Sequence, residues 1–172
     1  MHLIERLAAA VMVSLILMQS AIAEPRIALV TGNGAYDQVG ALDNPSNDAA
    51  QIADALAELN FTVTLLRDAD LPSFRRTVAQ FGRDLRNAGP ETTGLFFYAG
   101  HAVQSFGTNY LLPTDTVVTD AADLDLVAVE AGAILRQMSS AKNRTNMVIL
   151  DACRNNPFQD LPDFDSNGLA EM

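Results

Sequence analysis

Aliphatic runs alternate with segments of helical periodicity along most of the chain. Short runs of β-branched and aliphatic residues, bounded by turn-forming residues, predict buried strands. These runs occupy residues 26–31, 61–66, 94–98 and 146–150. In the intervening segments, apolar residues recur every three or four positions, which predicts amphipathic helices. The helical segments are residues 44–59, 71–88 and 126–138, and residues 103–113 predict a β-hairpin.

The alternation of strands with helices indicates βαβ crossovers. It predicts one α/β domain with a mainly parallel sheet and helices on both faces. We expect Asn47 or Asp48 to cap the first helix, the third strand to stop at His101, and the fourth to stop at Cys153. Functional residues of such sheets gather at the carboxyl ends of the strands, so His101 and Cys153 are candidates for one site.

The first 23 residues have the three-part pattern of a secretory signal peptide. Arg6 precedes an apolar run, and Ala21 and Ala23 supply the small residues of a cleavage site before Glu24. The run from residue 7 to residue 18 is shorter than the roughly 20 residues of a membrane span. We therefore predict cleavage and export of the domain 24–172 to the periplasm or the medium, with an uncleaved anchor as the alternative.

Composition narrows the classes of function. The 172 residues fit one domain, and a single cysteine excludes an internal disulfide framework and a four-cysteine zinc site. The formal net charge of −10 disfavours a nucleic-acid partner, because an acidic surface repels phosphates. Gly32 and Gly34 begin a dinucleotide fingerprint, but Asp37 stands where its third glycine belongs, so this segment predicts a tight turn.

His101 and Cys153 offer the chemistry of a nucleophilic site. After signal cleavage they are the single histidine and the single cysteine of the chain. An imidazole beside a thiol favours the thiolate and can later protonate a leaving amine. The backbone N–H groups of Ala102 and Cys153 are candidates for an oxyanion hole. Alternatively, a lone histidine is an ordinary surface or core residue, and a lone cysteine is a small buried apolar residue.

Two sequence blocks resemble the His and Cys motifs of the caspase-like cysteine peptidases, in particular the bacterial branch related to metacaspases. They are Tyr98-Ala-Gly-His101 and Asp151-Ala-Cys-Arg-Asn-Asn-Pro-Phe158, and residues 26–33, 42–49 and 109–113 fit the same pattern in order. The resemblance implies the caspase–haemoglobinase fold and hydrolysis of peptide bonds by a Cys/His dyad. It would make Cys153 the nucleophile and His101 the general acid/base.

The same resemblance implies the substrate. Acidic residues at the positions of Asp48 and Asp151 line the pocket for the residue before the cleaved bond and select Arg or Lys, as paired carboxylates suit a guanidinium. The alternative is that Asp48 caps a helix and Asp151 holds a loop. The expected partner is thus a peptide or protein with a basic residue at that position, with no nucleic acid and no membrane after signal cleavage. No cofactor or metal is expected; calcium dependence stays open, although no loop has EF-hand spacing.

Two departures from the family pattern bear on activity. Ala102 stands where many relatives have glycine, and an alanine resists positive φ. The chain also ends at Met172, where relatives continue into further strands, so we expect the C-terminal part of the fold to be truncated. A second hypothesis is therefore a catalytically silent caspase-like module that binds a protein partner through an open sheet edge. A third, a flavodoxin-like binding domain, predicts that His101 and Cys153 lie far apart.

Overall fold

A computed structural model describes residues 24–153 and, beyond them, residues 157, 158, 161, 164 and 169. The predicted signal peptide, residues 1–23, lies outside the described residues. Six strands are present in this part of the chain: β1 Arg26–Gly32, β2 Thr62–Arg67, β3 Thr93–Ser105, β4 Thr108–Leu111, β5 Val129–Glu130 and β6 Thr145–Cys153. The helices are α1 Pro45–Glu58, α2 Leu71–Ala88, α3 Leu124–Val127 and α4 Ala131–Ser140, and residues Ala121–Asp123 form a 3₁₀ turn.

The strands form one mixed, mainly parallel sheet. β1 lies between β2 and β3, parallel to both, and β6 runs parallel to β3. β4 folds back antiparallel on the last residues of β3, and β5 pairs antiparallel with β4. The turn between β3 and β4 contains Phe106 and Gly107, both with positive φ, which suits a two-residue hairpin. The predicted α/β class and the hairpin are confirmed.

The strand that carries His101 is longer than predicted. β3 does not stop at His101 but continues to Ser105, because its last four residues pair with β4 instead of with a parallel neighbour. The parallel pairing with β1 ends at Ala99, and that with β6 ends at His101. His101 therefore lies where the sheet changes from parallel to antiparallel pairing, and the expectation of a strand end there was wrong.

The N-cap of α2 is an acidic residue of the expected kind, whereas the N-cap of α1 differs from the predicted one. The Asp70 carboxylate accepts a hydrogen bond from the Ser73 N–H at 2.8 Å and caps α2. Helix α1 begins at Pro45, within the predicted segment 44–59 but before the predicted cap, because Pro45, with its fixed φ, suits the first turn and Asn44 is the N-cap residue. Asn44 caps without a side-chain hydrogen bond, and Asp48 lies inside the first turn, so the expected cap at residue 47 or 48 was wrong.

The predicted helix 126–138 is divided. Ala128 is extended, at φ −125° and ψ 176°, and the next two residues pair with β4 as strand β5. The helix resumes as α4 at Ala131. Leu124, before the break, and Ile134, after it, are both buried but belong to different clusters of the core. Their spacing looks helical although the backbone between them is extended.

The two faces of the sheet are covered by different helices. Helix α1 covers one face through Ala49, Ala53 and Leu56, which pack on alternate residues of β1 and β3. Helices α2 and α4 cover the other face with a larger cluster that includes Phe74, Leu85, Phe96, Tyr98 and Ile134. Helices therefore lie on both faces, as predicted. The face under α1 is the one that carries the candidate site.

Candidate active site

The loop after β1 is held in place by hydrogen bonds from three directions. The Asn33 N–H donates to the Ala99 carbonyl at 2.9 Å, and the Asn33 side chain bonds the main chain of Ala69 and Leu112. The Leu42 N–H donates to the Gly34 carbonyl, which closes the loop on itself. The loop is therefore fixed relative to β3 and to the ends of β2 and β4.

Asp68 fastens the same loop from the end of β2. Its carboxylate accepts hydrogen bonds from the N–H groups of Gly34 at 2.8 Å and Ala35 at 3.0 Å, and from the Ser46 hydroxyl at 3.3 Å. Desolvation acts to raise the pKa of this carboxyl, but the amide and hydroxyl donors and the charge of Arg67 outweigh it and leave the pKa below its ordinary value. Asp68 is therefore an ionised anchor at neutral pH.

His101 is buried beneath this loop and is contacted on both its main chain and its ring. Its N–H donates to the Tyr36 hydroxyl at 2.8 Å, and the two rings lie 4.7 Å apart. Its Nε2 lies 2.7 Å from the Gly40 carbonyl oxygen, which can only accept. We therefore assign the proton of the neutral ring to Nε2, which leaves a lone pair on Nδ1. That Nδ1 is buried and has no hydrogen-bond partner among the described residues.

Gly100, the residue before His101, leaves room for two tyrosine hydroxyls. It has φ +152°, and a Cβ there would lie 2.7 Å from both the Tyr36 and the Tyr98 hydroxyl oxygens. The Tyr98 hydroxyl donates to the His101 carbonyl oxygen at 2.7 Å. The main chain of His101 is therefore bonded by one tyrosine on each side, in a space that a larger residue at position 100 would fill.

The structure brings the backbones of His101 and Cys153 together. The two residues are register partners of the parallel strands β3 and β6. Neighbouring strands lie about 4.8 Å apart. The two backbones are therefore direct neighbours in the sheet, although 51 residues separate them in the sequence. The flavodoxin-like interpretation, which required a wide separation, was wrong.

The two candidate carboxylates lie near the same end of the sheet. A row of register partners runs from Gly32 through Ala99 to Asp151 across three strands. Asp151 is exposed, and Asp48 is half-buried in the first turn of α1. A Cβ at Gly32 would lie 2.3 Å from the Pro45 carbonyl oxygen, so this turn of α1 sits directly over the end of β1. The spacing of two strands, about 10 Å, separates the row's ends.

Ala102 follows His101 in β3 and is buried. It is the register partner of Leu111 in the antiparallel pairing with β4. Because side chains alternate along a strand, Ala102 and His101 face opposite sides of the sheet. Of the two proposed oxyanion-hole positions, Ala102 therefore follows His101 in β3, and Cys153 pairs with His101 from the neighbouring strand β6.

The sequence interpretation missed three residues of this environment. Tyr36, Gly40 and Asp68 all contact His101 or the loop above it, yet none was selected as a candidate. A signal existed for Asp68, an acidic residue directly after a strand, but Gly40 acts through a carbonyl oxygen that every residue has. Among the described residues, no group of three or more His, Cys, Asp or Glu side chains is arranged to hold a metal ion.

A separate cavity of about 300 Å³ lies between α2, α4 and the β4–β5 edge. The Tyr110 hydroxyl there donates to the Asp125 carboxylate at 2.6 Å. Burial, that hydrogen bond and the nearby negative charge raise the pKa of Tyr110 to about 12. Arg75 donates to the carbonyl oxygens of Asp125 and Ala128 in the same cavity. His101 does not line it, so this cavity belongs to a different part of the molecule.

Comparison with known proteins identifies the family. A family model of the caspase domain matches residues 25–170. The chain belongs to the caspase family. It is therefore related to the cysteine peptidases of that family, as the His and Cys motifs predicted. None of the helices in the described part of the chain has the length and apolar character that crossing a membrane requires.

Two sequence relatives and a solved structure are also similar to this chain. The chain is 29% identical over 133 residues to human mucosa-associated lymphoid tissue lymphoma translocation protein 1 and 28% identical to its mouse homologue. Each match covers 77% of this chain but only 15% of the relative. The fold resembles protein GSU0716 from Geobacter sulfurreducens, with a TM-score of 0.58 and 20% identity, over 75% of this chain and 50% of that one. That likeness supports the fold alone.

Proposed function

We propose that this caspase-family domain is a cysteine endopeptidase in which Cys153 is the nucleophile and His101 the general acid/base. The observation that carries the proposal is the register pairing of these two residues at the end of the parallel sheet. A Cys/His pair in register on adjacent strands, where the parallel pairing of the two strands ends, is an arrangement in which an imidazole can take the thiol proton and later return it to the leaving amine. The oxyanion would be held by the backbone N–H groups of Ala102 and Cys153.

The environment of His101 supports a role as a base. The Gly40 carbonyl accepts the Nε2 proton, so the lone pair of the neutral ring lies on Nδ1. Nδ1 is buried and has no partner among the described residues, and leaving a buried acceptor unpaired costs about 1–3 kcal/mol. Such a cost is commonly retained at reactive positions, because the unpaired group is the one that the reaction uses.

We further propose that the enzyme cleaves after Arg or Lys and that Asp48 and Asp151 select this residue. Both carboxylates lie at the carboxyl end of the sheet, near the start of α1 and on β6 respectively. The row from Gly32, over which α1 begins, to Asp151 spans two strand spacings, about 10 Å, and a guanidinium can bond carboxylates on both sides of such a space. The net charge of −10 also favours a cationic substrate over an acidic one.

The first test compares matched peptide reporters that carry Arg, Lys or Asp before the cleaved bond. We expect cleavage of the Arg and Lys reporters, and none of the Asp reporter. Cys153→Ala and His101→Ala should each abolish cleavage while the circular dichroism spectrum stays that of the folded domain. Cleavage that persists in Cys153→Ala refutes the mechanism, and a preference for the Asp reporter refutes the pocket.

The pocket needs its own matched control. Asp48→Asn and Asp151→Asn should each lower kcat/KM for the Arg reporter by about 10- to 100-fold, because each removes a charge-assisted bond. Asp54→Asn, an exposed carboxylate further along α1, should leave kcat/KM within about twofold. Equal losses in all three variants would mean that the effect comes from net charge and not from a pocket.

A catalytically silent module that binds a protein partner is the second candidate. The observation that favours it is the outer edge of β6, which has no paired strand among the described residues. Met147 and Ile149 on this strand are 37% and 47% exposed. Exposed strands of this kind accept a strand from a partner. A Cys153 thiol that does not react with alkylating agents, together with a stable stoichiometric complex, would favour this function over catalysis.

A further inference from the structure

Tyr36 contacts His101 from outside the proposed dyad. Tyr36 is buried, 7% exposed, and comes from the loop after β1, far from β3 in sequence. Its hydroxyl oxygen accepts a hydrogen bond from the His101 N–H at 2.8 Å. Its ring lies 4.7 Å from the imidazole at an interplanar angle of 52°. One side chain therefore contacts both the main chain and the ring of His101.

The same loop supplies the other contact to the imidazole. Gly40, four residues after Tyr36, accepts the Nε2 proton through its carbonyl oxygen at 2.7 Å. The imidazole is thus in contact with the Tyr36 ring and with the Gly40 carbonyl. A ring bounded in this way cannot turn about its side-chain bonds without losing one of the two contacts.

The hydroxyl of Tyr36 is also held in place. It lies 3.3 Å from the Tyr98 hydroxyl and 3.3 Å from the Leu112 carbonyl oxygen. Gly100 leaves the space into which both hydroxyls project. The loop that carries Tyr36 is fastened in turn by the Asp68 carboxylate. Tyr36 is therefore a fixed group and can hold another group fixed.

We propose that Tyr36 is the positioning residue of His101, its hydroxyl holding the main chain and its ring holding the imidazole against the Gly40 carbonyl. This inference rests on the proposed function, since it assigns the group that orients the general acid/base. Tyr36 acts through His101 and takes no part in the making or breaking of bonds. It keeps the Nδ1 lone pair directed to one place and so spares the reaction the cost of orienting it.

The test is designed so that it does not depend on peptidase activity. In the full chain with His2→Gln, every histidine signal in a nuclear magnetic resonance spectrum comes from His101. Solvent exchange is measured for two protons: the His101 backbone N–H and the ring Nε2–H. Tyr36→Phe removes the hydroxyl and keeps the ring, whereas Tyr36→Leu removes both. Tyr110→Phe is the control, because it removes another hydrogen-bonded tyrosine hydroxyl that contacts Asp125 and not His101.

We expect Tyr36→Phe to speed exchange of the backbone N–H by about tenfold, the effect of losing one ordinary hydrogen bond, and to leave the ring proton protected. Tyr36→Leu should speed exchange of both protons by about tenfold or more. The Tyr110→Phe control should leave both rates at those of the parent chain. Backbone protection that is unchanged in Tyr36→Phe would overturn the proposal, and so would equal acceleration in the Tyr110→Phe control. If Tyr36→Leu does not fold, the Tyr36→Phe result decides alone.

Activity supplies a second, separate readout. With the Arg reporter, Tyr36→Leu should lower kcat by about tenfold or more and leave KM within about twofold, because the ring that orients the imidazole is lost and substrate binding is not. Tyr36→Phe, which keeps this ring, should lower kcat less than Tyr36→Leu does. A folded, active Tyr36→Leu enzyme whose kcat is unchanged overturns the positioning role. A parent chain with no peptidase activity but with the expected exchange pattern refutes the proposed function and leaves the placement of His101 by Tyr36 supported.

Discussion

Substituting Gly100 with alanine should disrupt the site more than substituting any glycine in open space. A Cβ at this position would lie 2.7 Å from the Tyr36 and Tyr98 hydroxyls and 3.0 Å from the Asn33 carbonyl oxygen. All three neighbours are buried and hydrogen-bonded, so they cannot move aside freely. The backbone at φ +152° adds strain for any residue with a side chain.

The expected loss is the sum of two effects. Backbone strain costs about 1–3 kcal/mol, and forcing an extra methyl group into a packed interior costs about 1–3 kcal/mol. The free energy of unfolding should therefore fall by about 2–6 kcal/mol, a large share of the about 5–15 kcal/mol of an ordinary domain. At about 3 °C per kcal/mol for a domain of this size, Tm should fall by about 6–18 °C.

The assay is chemical denaturation followed by circular dichroism, with a second glycine as the control. Gly107, in the β3–β4 turn, has φ +75°, and a Cβ there would meet nothing within 4 Å. Gly107→Ala therefore carries backbone strain alone and should cost about 1–2 kcal/mol. If Gly100→Ala costs no more than Gly107→Ala, the contact with the two hydroxyls does not constrain this position, and the account of the site's packing fails.

Two further predictions concern the loop anchor and the core. Asp68→Asn should lower the free energy of unfolding by about 1 kcal/mol at neutral pH, a value reduced for solvent screening. Because the folded-state pKa of Asp68 lies below its ordinary value of 3.8, the stabilisation is present above that pH and is lost as pH falls through the folded pKa. Denaturation across a pH series should thus show parent and variant converging in acid, and a constant gap would contradict the assignment. Leu29→Ala, at a fully buried position in β1, should lower the free energy of unfolding by about 2–5 kcal/mol. Leu65→Ala, at a position 40% exposed in β2, should lower it by less than about 1 kcal/mol. Equal losses in the two variants would contradict the placement of the core.

Much of the fold could be predicted from the sequence because burial leaves a periodic pattern. The aliphatic runs that became β1, β2 and β6 are short and bounded by turn residues, and α2 shows both periodicity and an acidic cap at Asp70. The prediction failed where a tertiary contact outweighed the local pattern. β5 interrupts the expected helix because Val129 and Glu130 find backbone partners on β4, and β3 runs past His101 for the same reason.

The sequence by itself determined which side chains can carry the chemistry: a single histidine and a single cysteine after residue 23, each within a block that resembles a caspase motif. Only the tertiary structure decided that the backbones of His101 and Cys153 pair in register, and that Tyr36 and Gly40 enclose the imidazole. The physical reason is that the chemistry of a side chain follows from the residue type, whereas every residue has the same backbone carbonyl oxygen. Which carbonyl accepts the histidine proton depends on how the folded loop returns over the sheet, and no local pattern records that path.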